Sequence, residues 1–244
     1  MTLSIGIVGA NGRMGQLLIS AVNADDSLTL AGGIDRDGDA TDLFKRASVI
    51  IDFSAPSASL SHAALAARYK KPLLIGTTGL DEATKASIQN HAIHAPILIS
   101  ANTSLGVNVL LNLVRRAAEI LGDDFDIEIF EAHHAKKVDA PSGTALALGQ
   151  AAADGLNINL SAHKITTREG HTGVRRKNDI GFSCARGGDV AGDHTVFFYG
   201  AGERLELTHR ATNRKIFADG ALKIAKWLSQ KPAGFYTMDD FLSF

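Results

Sequence analysis

The run Ile5-Gly6-Ile7-Val8, followed at once by Gly9-Ala10-Asn11-Gly12-Arg13-Met14-Gly15, limits this chain's possible folds more than any other feature. An apolar strand that ends in a glycine turn and opens into a helix brings backbone N–H groups and the positive end of the helix dipole to one point. A pyrophosphate is the natural occupant of such a point. The spacing departs from the usual G-x-G-x-x-G, because Asn11 holds the middle glycine's place and Gly12 follows. Asparagine tolerates left-handed backbone better than most residues, which keeps the turn feasible. Asp35 ends the next apolar run about 20 residues on, where an acid takes the adenosine ribose hydroxyls. Arg36 beside it suits a 2′-phosphate. Asp35 points to NADH and Arg36 to NADPH, so use of either is expected.

The surrounding pattern supports a doubly wound sheet. Strand candidates Ser4–Val8, Leu28–Ile34, Val49–Asp52, Leu73–Gly76 and Ile97–Ser100 alternate with helix candidates Gly12–Val22, Ser57–Tyr69 and Asp81–Ala92. Apolar runs without clean alternation suit strands covered on both faces, and strand–helix–strand repetition implies a parallel sheet. Gly76-Thr77-Thr78 and Ser100-Ala101-Asn102-Thr103 each follow a strand candidate. Ligands bind outside the carboxyl ends of such strands, and small residues there let a nicotinamide approach the backbone.

After Asn102 the pattern changes. A helix candidate, Gly106–Leu121, precedes an alternating strand, Asp126–Ala132, and a second helix is expected to begin near Ser142. Strand-like pieces follow at Ile165–Arg168, Ile180–Arg186, Thr195–Tyr199 and Arg204–Arg210. Glycine-rich joints at Gly187-Gly188 and Gly200–Gly202 are expected to make hairpins. A final helix, Phe217–Leu228, has the apolar pattern to pack back on the first domain. The expected fold class is α/β: a Rossmann-like doubly wound parallel sheet with a second α+β domain carrying a mostly antiparallel or mixed sheet.

Composition removes several function classes. The 25 basic and 26 acidic residues leave a net charge of −1, so no global field favours nucleic acid or an anionic membrane. The basic run Arg175-Arg176-Lys177 and nearby Arg168 lack base-stacking aromatics and read as a solvated or interdomain face. The single cysteine, Cys184, suits a reducing compartment and is expected to be a small buried side chain. No basic leader or membrane-length apolar run is seen, so a cytoplasmic location is expected.

The stretch richest in chemistry is Glu131-Ala132-His133-His134-Ala135-Lys136-Lys137-Val138-Asp139-Ala140-Pro141-Ser142-Gly143-Thr144. Two histidines, a lysine pair and a helix start make an electropositive pocket. Free N–H groups at that start, with the Ser142 and Thr144 hydroxyls, suit a carboxylate. Lys137 offers a point charge, and either histidine can move a proton near neutral pH. Zinc is the competing reading. Adjacent histidines lack the i, i+4 spacing of a helical zinc pair, and no cysteine or Glu-x-x-His partner is near, so no metal is expected.

The run E-A-H-H-A-K-K-V-D-A-P-S-G-T-A closely resembles the signature of the dihydrodipicolinate reductase family. The resemblance continues through V-G-A-N-G-R-M-G, I-G-T-T-G, N-T-S-L-G-V-N, R-E-G-H-T-G, A-R-G-G-D-V-A-G-D-H-T and G-E-R-L-E-L-T-H-R-A, in order along nearly the whole chain. It implies NADH- or NADPH-dependent reduction of a cyclic dicarboxylate to tetrahydrodipicolinate, for diaminopimelate and lysine synthesis. Matched residue by residue, His133 resembles the family's proton donor/acceptor and Lys137 its proton donor. His134, Gly143 and Thr144 resemble its substrate contacts. Gly9 to Met14, Asp35, Arg36, Gly76 to Thr78 and Ser100 to Thr103 resemble its cofactor positions.

The resemblance further implies a homotetramer built on the second domain's sheet. It also implies a split first domain, 1–104 with 215–244, around a substrate-binding and oligomerisation domain at 105–214, whose closure brings substrate to the nicotinamide. Two features depart from the family pattern: Asn11 replaces a common glycine, and the stretch between Asp35 and Asp52 is short. Both bear on cofactor preference. The other histidines, at 62, 91, 94, 163, 171, 194 and 209, receive no catalytic role, and those at 62, 91, 94 and 163 read as surface or packing residues. The alternatives are another two-domain NAD(P) oxidoreductase of amino-acid metabolism, or a dinucleotide sensor that has the turn but does not need His133 and Lys137.

Overall fold

The structure, a computed structural model, describes residues 2–243. It contains two compact units, one ending at Ser104 and resuming at Lys215, the other spanning Leu105–Arg214. In chain order the first unit begins with β1 (Leu3–Val8), α1 (Arg13–Asn23), β2 (Leu28–Ile34), α2 (Ala40–Arg46), β3 (Val49–Asp52), α3 (Pro56–Tyr69), β4 (Leu73–Ile75), α4 (Glu82–His91) and β5 (Pro96–Ile99). The second unit carries α5 (Leu105–Leu121), β6 (Asp126–His133), α6 (Gly143–Leu156), α7 (Leu160–His163), β7 (Lys164–Ile165), β8 (Ile180–Arg186), β9 (Gly192–Tyr199) and β10 (Arg204–Ala211). The chain then returns with α8 (Lys215–Leu228), β11 (Gly234–Tyr236) and α9 (Met238–Leu242).

The first unit's sheet runs β11-β5-β4-β3-β1-β2 with every pair parallel. All four residues of β3 are buried, as a strand covered on both faces requires. One core gathers Phe44, Ile50, Ala63, Leu73, Ile88 and Ile97 beneath α2, α3 and α4. Helices α1 and α8 pack on each other, and α8 also packs on β3, β4 and β5. The returning helix is pinned where Lys226 Nζ meets Asp25 Oδ2 at 2.7 Å. That lysine and the Ser27 hydrogen bonds hold the Asp25 carboxyl down at about 2. The strand order reverses between β1 and β3, and at such a switch point the crevice at the strands' carboxyl ends is open.

The second unit's sheet is mixed, ordered β10-β9-β6-β8-β7. β8 lies parallel to β6 and β7, whereas β9 is antiparallel to β6 and β10. Helices α5 and α6 cover one face over Val114, Ile129, Leu148, Phe182, Val196 and Phe198. Two expectations need correction. Gly187-Gly188 does not make a hairpin, because its flanking strands sit on opposite sides of β6; Gly200–Gly202 joins true hairpin partners. The strand expected over Ile165–Arg168 shrinks to β7, because Arg168 turns aside to fork onto Glu128 at 2.7 and 2.8 Å. Helix α2 and strand β11, each too short to show a period, were not foreseen. No helix among the described residues is long and apolar enough to cross a membrane.

Candidate functional site

Gly9 leaves β1 with φ +83°, where a side chain is strained. A Cβ there would also sit 2.8 Å from the Phe53 carbonyl carbon. The left-handed residue of the turn is therefore Gly9, and Asn11 is not left-handed, contrary to the reason given above for its tolerance. The Gly9 and Ala10 amides donate to Ile34 O at 2.9 and 3.1 Å, and the Asn11 amide donates to Asp35 Oδ2 at 3.0 Å. These bonds tie the turn to the end of β2 and place Asp35 beside it. Gly12 caps α1 without a side-chain bond, so the first-turn N–H groups of Arg13 and Met14 have no intrahelical acceptor.

Two clefts meet at Phe53 and Ser54. One, about 520 Å³, is lined by Gly9, Gly12, Asp35, Arg36 and His62 among others. The other, about 370 Å³, is lined by Met14, Gly76, Thr77, Thr78, Ala101, Asn102, Thr103 and Phe217. The sizes and the uncapped helix start suit a dinucleotide laid along the strand ends. Ala10, Asn11, Arg13 and Ser100 do not line either cleft. Ala10 and Ser100 are buried, and Ser100 Oγ bonds Asn102 O at 2.7 Å, so both shape the loops instead.

Sequence reading missed Asp52. It is fully buried and receives His62 Nδ1 at 2.8 Å and the Ser54 amide and hydroxyl at 2.9 and 2.5 Å. Thr77 Oγ1 lies 3.3 Å away. His62 is accordingly a packing residue, and the Thr77 hydroxyl is committed inward.

In the second unit, the two-residue period of β6 puts Ile127, Ile129, Glu131 and His133 on the covered face. The apolar core thus ends in a polar cluster. The register sets Glu131 opposite His194 on β9 and Cys184 on β8, with His133 opposite Arg186. Glu131 is fully buried; its Oε2 bonds His133 Nδ1, and Arg186 forks onto both oxygens at 3.1 and 2.8 Å. Burial pushes the Glu131 carboxyl up, but the bonds from Arg186, Cys184 and His133 outweigh it and hold the group below its ordinary range. His133 is pushed down, by burial first and then by the positive charges of Lys137 and Arg186, against the opposing pull of Glu131.

Helix α6 begins beside this cluster. Ser142 is its N-cap, accepting the Ala145 amide at 3.2 Å and touching His194 Nε2 at 3.1 Å. Its hydroxyl is therefore used and buried, which corrects its expected part in holding a carboxylate. Gly143 is exposed, and a Cβ there would meet nothing within 4 Å, so the approach to this first turn is open; Thr144 follows on the same turn. Lys137 Nζ rests on both Asp139 oxygens. His134 Nε2 meets Arg214 Nη2 at 2.9 Å. His133, Lys137, His134, Gly143 and Thr144 thus come from one strand end, the loop after it and the helix start.

Glu131, His133 and His194 offer ligand atoms within 4.8 Å of one another, a cluster that linear spacing did not reveal. The Arg186 guanidinium already occupies the carboxylate and opposes a second cation there. One further expectation changes. Cys184 is exposed, not buried; desolvation and the Glu131 carboxylate push its thiol up to about 11, the opposite of an activated nucleophile. The basic run is paired within its own unit, Arg175 with Asp126 and Glu128, Arg176 with Asp179, and Lys177 with Asp123.

Comparison with known proteins follows this division of labour. Residues 3–103 match the family model described as dihydrodipicolinate reductase, N-terminus, and residues 106–242 the one described as its C-terminus. A 4-hydroxy-tetrahydrodipicolinate reductase of Acinetobacter baumannii is 45% identical, the match covering 98% of this chain and 95% of that protein. Among solved structures, a dipicolinate-bound dihydrodipicolinate reductase from Paenisporosarcina sp. TG-14 superposes with a TM-score of 0.79. It shares 21% identity over 99% of this chain and 100% of that one. A Corynebacterium glutamicum DAP dehydrogenase in complex with DAP has a TM-score of 0.56 at 14% identity, covering 97% and 93% of the two chains.

Proposed function

The chain belongs to the dihydrodipicolinate reductase family, and on that premise we propose that it reduces 4-hydroxy-tetrahydrodipicolinate to tetrahydrodipicolinate with NADH or NADPH, in the synthesis of diaminopimelate and lysine. The observation that carries the reading is His133, held by Glu131 at the end of β6 beside the open first turn of α6. Gly9 to Met14, Asp35, Arg36, Gly76 to Thr78 and Ser100 to Thr103 would hold the dinucleotide, the clefts through direct contact and the buried members by shaping the loops. The dinucleotide supplies the hydride. Asp35 answers to a ribose hydroxyl and Arg36 to a 2′-phosphate, so both cofactors are accepted.

The remaining work falls to the second unit. The N–H groups of Gly143 and Thr144, backed by the helix dipole, take one substrate carboxylate, and His134 and Lys137 meet the rest of the anion. Hydride addition leaves electron density on the substrate that must be protonated. His133 and Lys137 are the groups placed to give that proton, an effect that typically contributes ~10²–10⁴-fold. A dipicolinate ligand in the Paenisporosarcina relative supports a small dicarboxylate here. The reading includes a cytoplasmic homotetramer. It is supported by the outward face of the second sheet, where Phe130 and Tyr199 stay 40% and 39% exposed. Light scattering of the purified protein tests the assembly.

The deciding experiment follows NADPH and NADH oxidation with freshly generated aspartate-semialdehyde–pyruvate condensation product. Oxidation with either cofactor is expected. His133→Ala and Lys137→Ala should each lower turnover by about 10²-fold or more with NADPH binding intact. Full turnover in either variant removes its assigned role. No oxidation with either cofactor returns the chain to the sensor or to another reductase.

A further inference from the structure

Glu131 sits at the centre of the second unit's polar cluster, and its contacts reach beyond the one with His133 on which the reading above rests. Its bonds connect three separate pieces of the site. Oε2 receives His133 Nδ1. Oε1 receives the Ser142 backbone N–H at 3.2 Å, which anchors the first turn of α6. Arg186 forks onto both oxygens and donates a further bond, at 2.7 Å, to the Asp139 carbonyl, in the loop that carries Lys137. One buried carboxylate is therefore the common anchor of the histidine, the carboxylate cradle and the lysine loop.

The chemistry of the anchor sets the state of the ring. An ionised carboxylate can only accept hydrogen bonds, so the nitrogen facing it, Nδ1, must carry the proton. That leaves Nε2 as the nitrogen that gives or takes one, on the side where a Cβ added to Gly192 would lie 3.0 Å away. The same logic orients metal-bound and triad histidines. Arg186 makes the arrangement affordable, since its guanidinium matches the carboxylate fork and compensates its burial.

We propose that Glu131 is a positioning residue of the reduction: it fixes the tautomer and aim of His133 and locks that ring to the helix start that receives the substrate's carboxylate. The inference rests on the reductase reading of His133. The ionisable groups around the ring are Glu131, Arg186, Lys137 and His194, and of these Glu131 pulls the proton on while Lys137 and Arg186 push it off. Neutralising Glu131 therefore moves the His133 titration to lower pH.

The test is a double-mutant cycle with pH profiles, using the full chain and NADPH as cofactor. Glu131→Gln should lower kcat on the order of 10²-fold, shift the His133 limb of the profile to lower pH and leave the NADPH KM unchanged. In a His133→Ala background the same change should cost no more than ~2-fold, since the two act as a unit. An equal cost in both backgrounds, or an unshifted limb in Glu131→Gln, overturns the proposal. If Glu131→Gln is inactive through misfolding, Glu131→Asp replaces it; there the retained charge keeps the limb in place while the withdrawn carboxylate lowers kcat. Wild-type kcat in Glu131→Asp likewise overturns it. Unchanged turnover in His133→Ala alone would instead remove the reductase role of His133, a distinguishable failure.

Discussion

Lys137 Nζ lies 2.8 and 2.9 Å from the two carboxylate oxygens of Asp139, two residues further along the same loop. The hydrogen bond from Lys137 is the main reason the Asp139 carboxyl stands below its ordinary range. The ammonium proposed to meet the substrate is thus neutralised by an internal competitor, more exposed than itself. Asp139→Asn should lower the substrate KM severalfold, because the substrate no longer displaces a carboxylate. Initial-rate kinetics at fixed NADPH check this, and an increased KM would show that Asp139 instead holds Lys137 in its working position.

His194 gives the stability a pH dependence of defined sign. Burial first, and then the neighbouring His133, push its proton affinity down from 6.5 to about 4. The unfolded chain binds the proton more readily, so stability is full above about pH 6.5 and is lost as pH falls toward 4. At ~1.36 kcal/mol per pH unit the loss is on the order of 3 kcal/mol. His209, also pushed down by burial, adds in the same direction. Thermal melts from neutral pH to pH 4 should show a falling Tm, and His194→Gln should flatten the fall while lowering stability at neutral pH.

Arg36 should separate the two cofactors. It is exposed beside Asp35, on the wall of the larger cleft. A charge-assisted bond to a 2′-phosphate is worth ~1.5–3 kcal/mol. Arg36→Ala should therefore raise the NADPH KM by about 10-fold or more and leave the NADH KM nearly unchanged. Equal effects on both would place Arg36 away from the 2′-position.

Two glycines should respond in opposite ways to alanine. Gly9→Ala puts a Cβ into left-handed backbone, ~1–2 kcal/mol, and against the Phe53 carbonyl. It should lower the Tm and abolish NADPH binding measured by fluorescence titration. Gly143→Ala meets no atom within 4 Å and improves helix propensity. It should keep the Tm at or above wild type yet raise the substrate KM, because the methyl group narrows the approach to the N–H groups proposed to receive the carboxylate.

Much of the first unit was legible because its signals are local. The apolar runs of β1 and β3, the turn at Gly9 and the acid at Asp35 each declare themselves within a few residues. The Asn11 argument failed for an equally local reason, since the residue that needed left-handed backbone was two positions earlier. Glu131, Arg186 and His194 were a different matter. They lie up to 63 positions apart in the chain, and only the pairing of β6 with β8 and β9 sets them side by side.

The glycine turn, the alternation of the longer strands and helices, and the His-His-x-x-Lys segment were determined by the sequence alone, because backbone preference and side-chain period act over a single turn or strand. Which strand neighbours which, and therefore that Gly187-Gly188 links strands on either side of β6, was decided only by tertiary structure. So was the state of His133. Its tautomer and lowered proton affinity depend on a buried carboxylate, a guanidinium from another strand and the exclusion of water, and none of these exists until the second sheet has closed over its core.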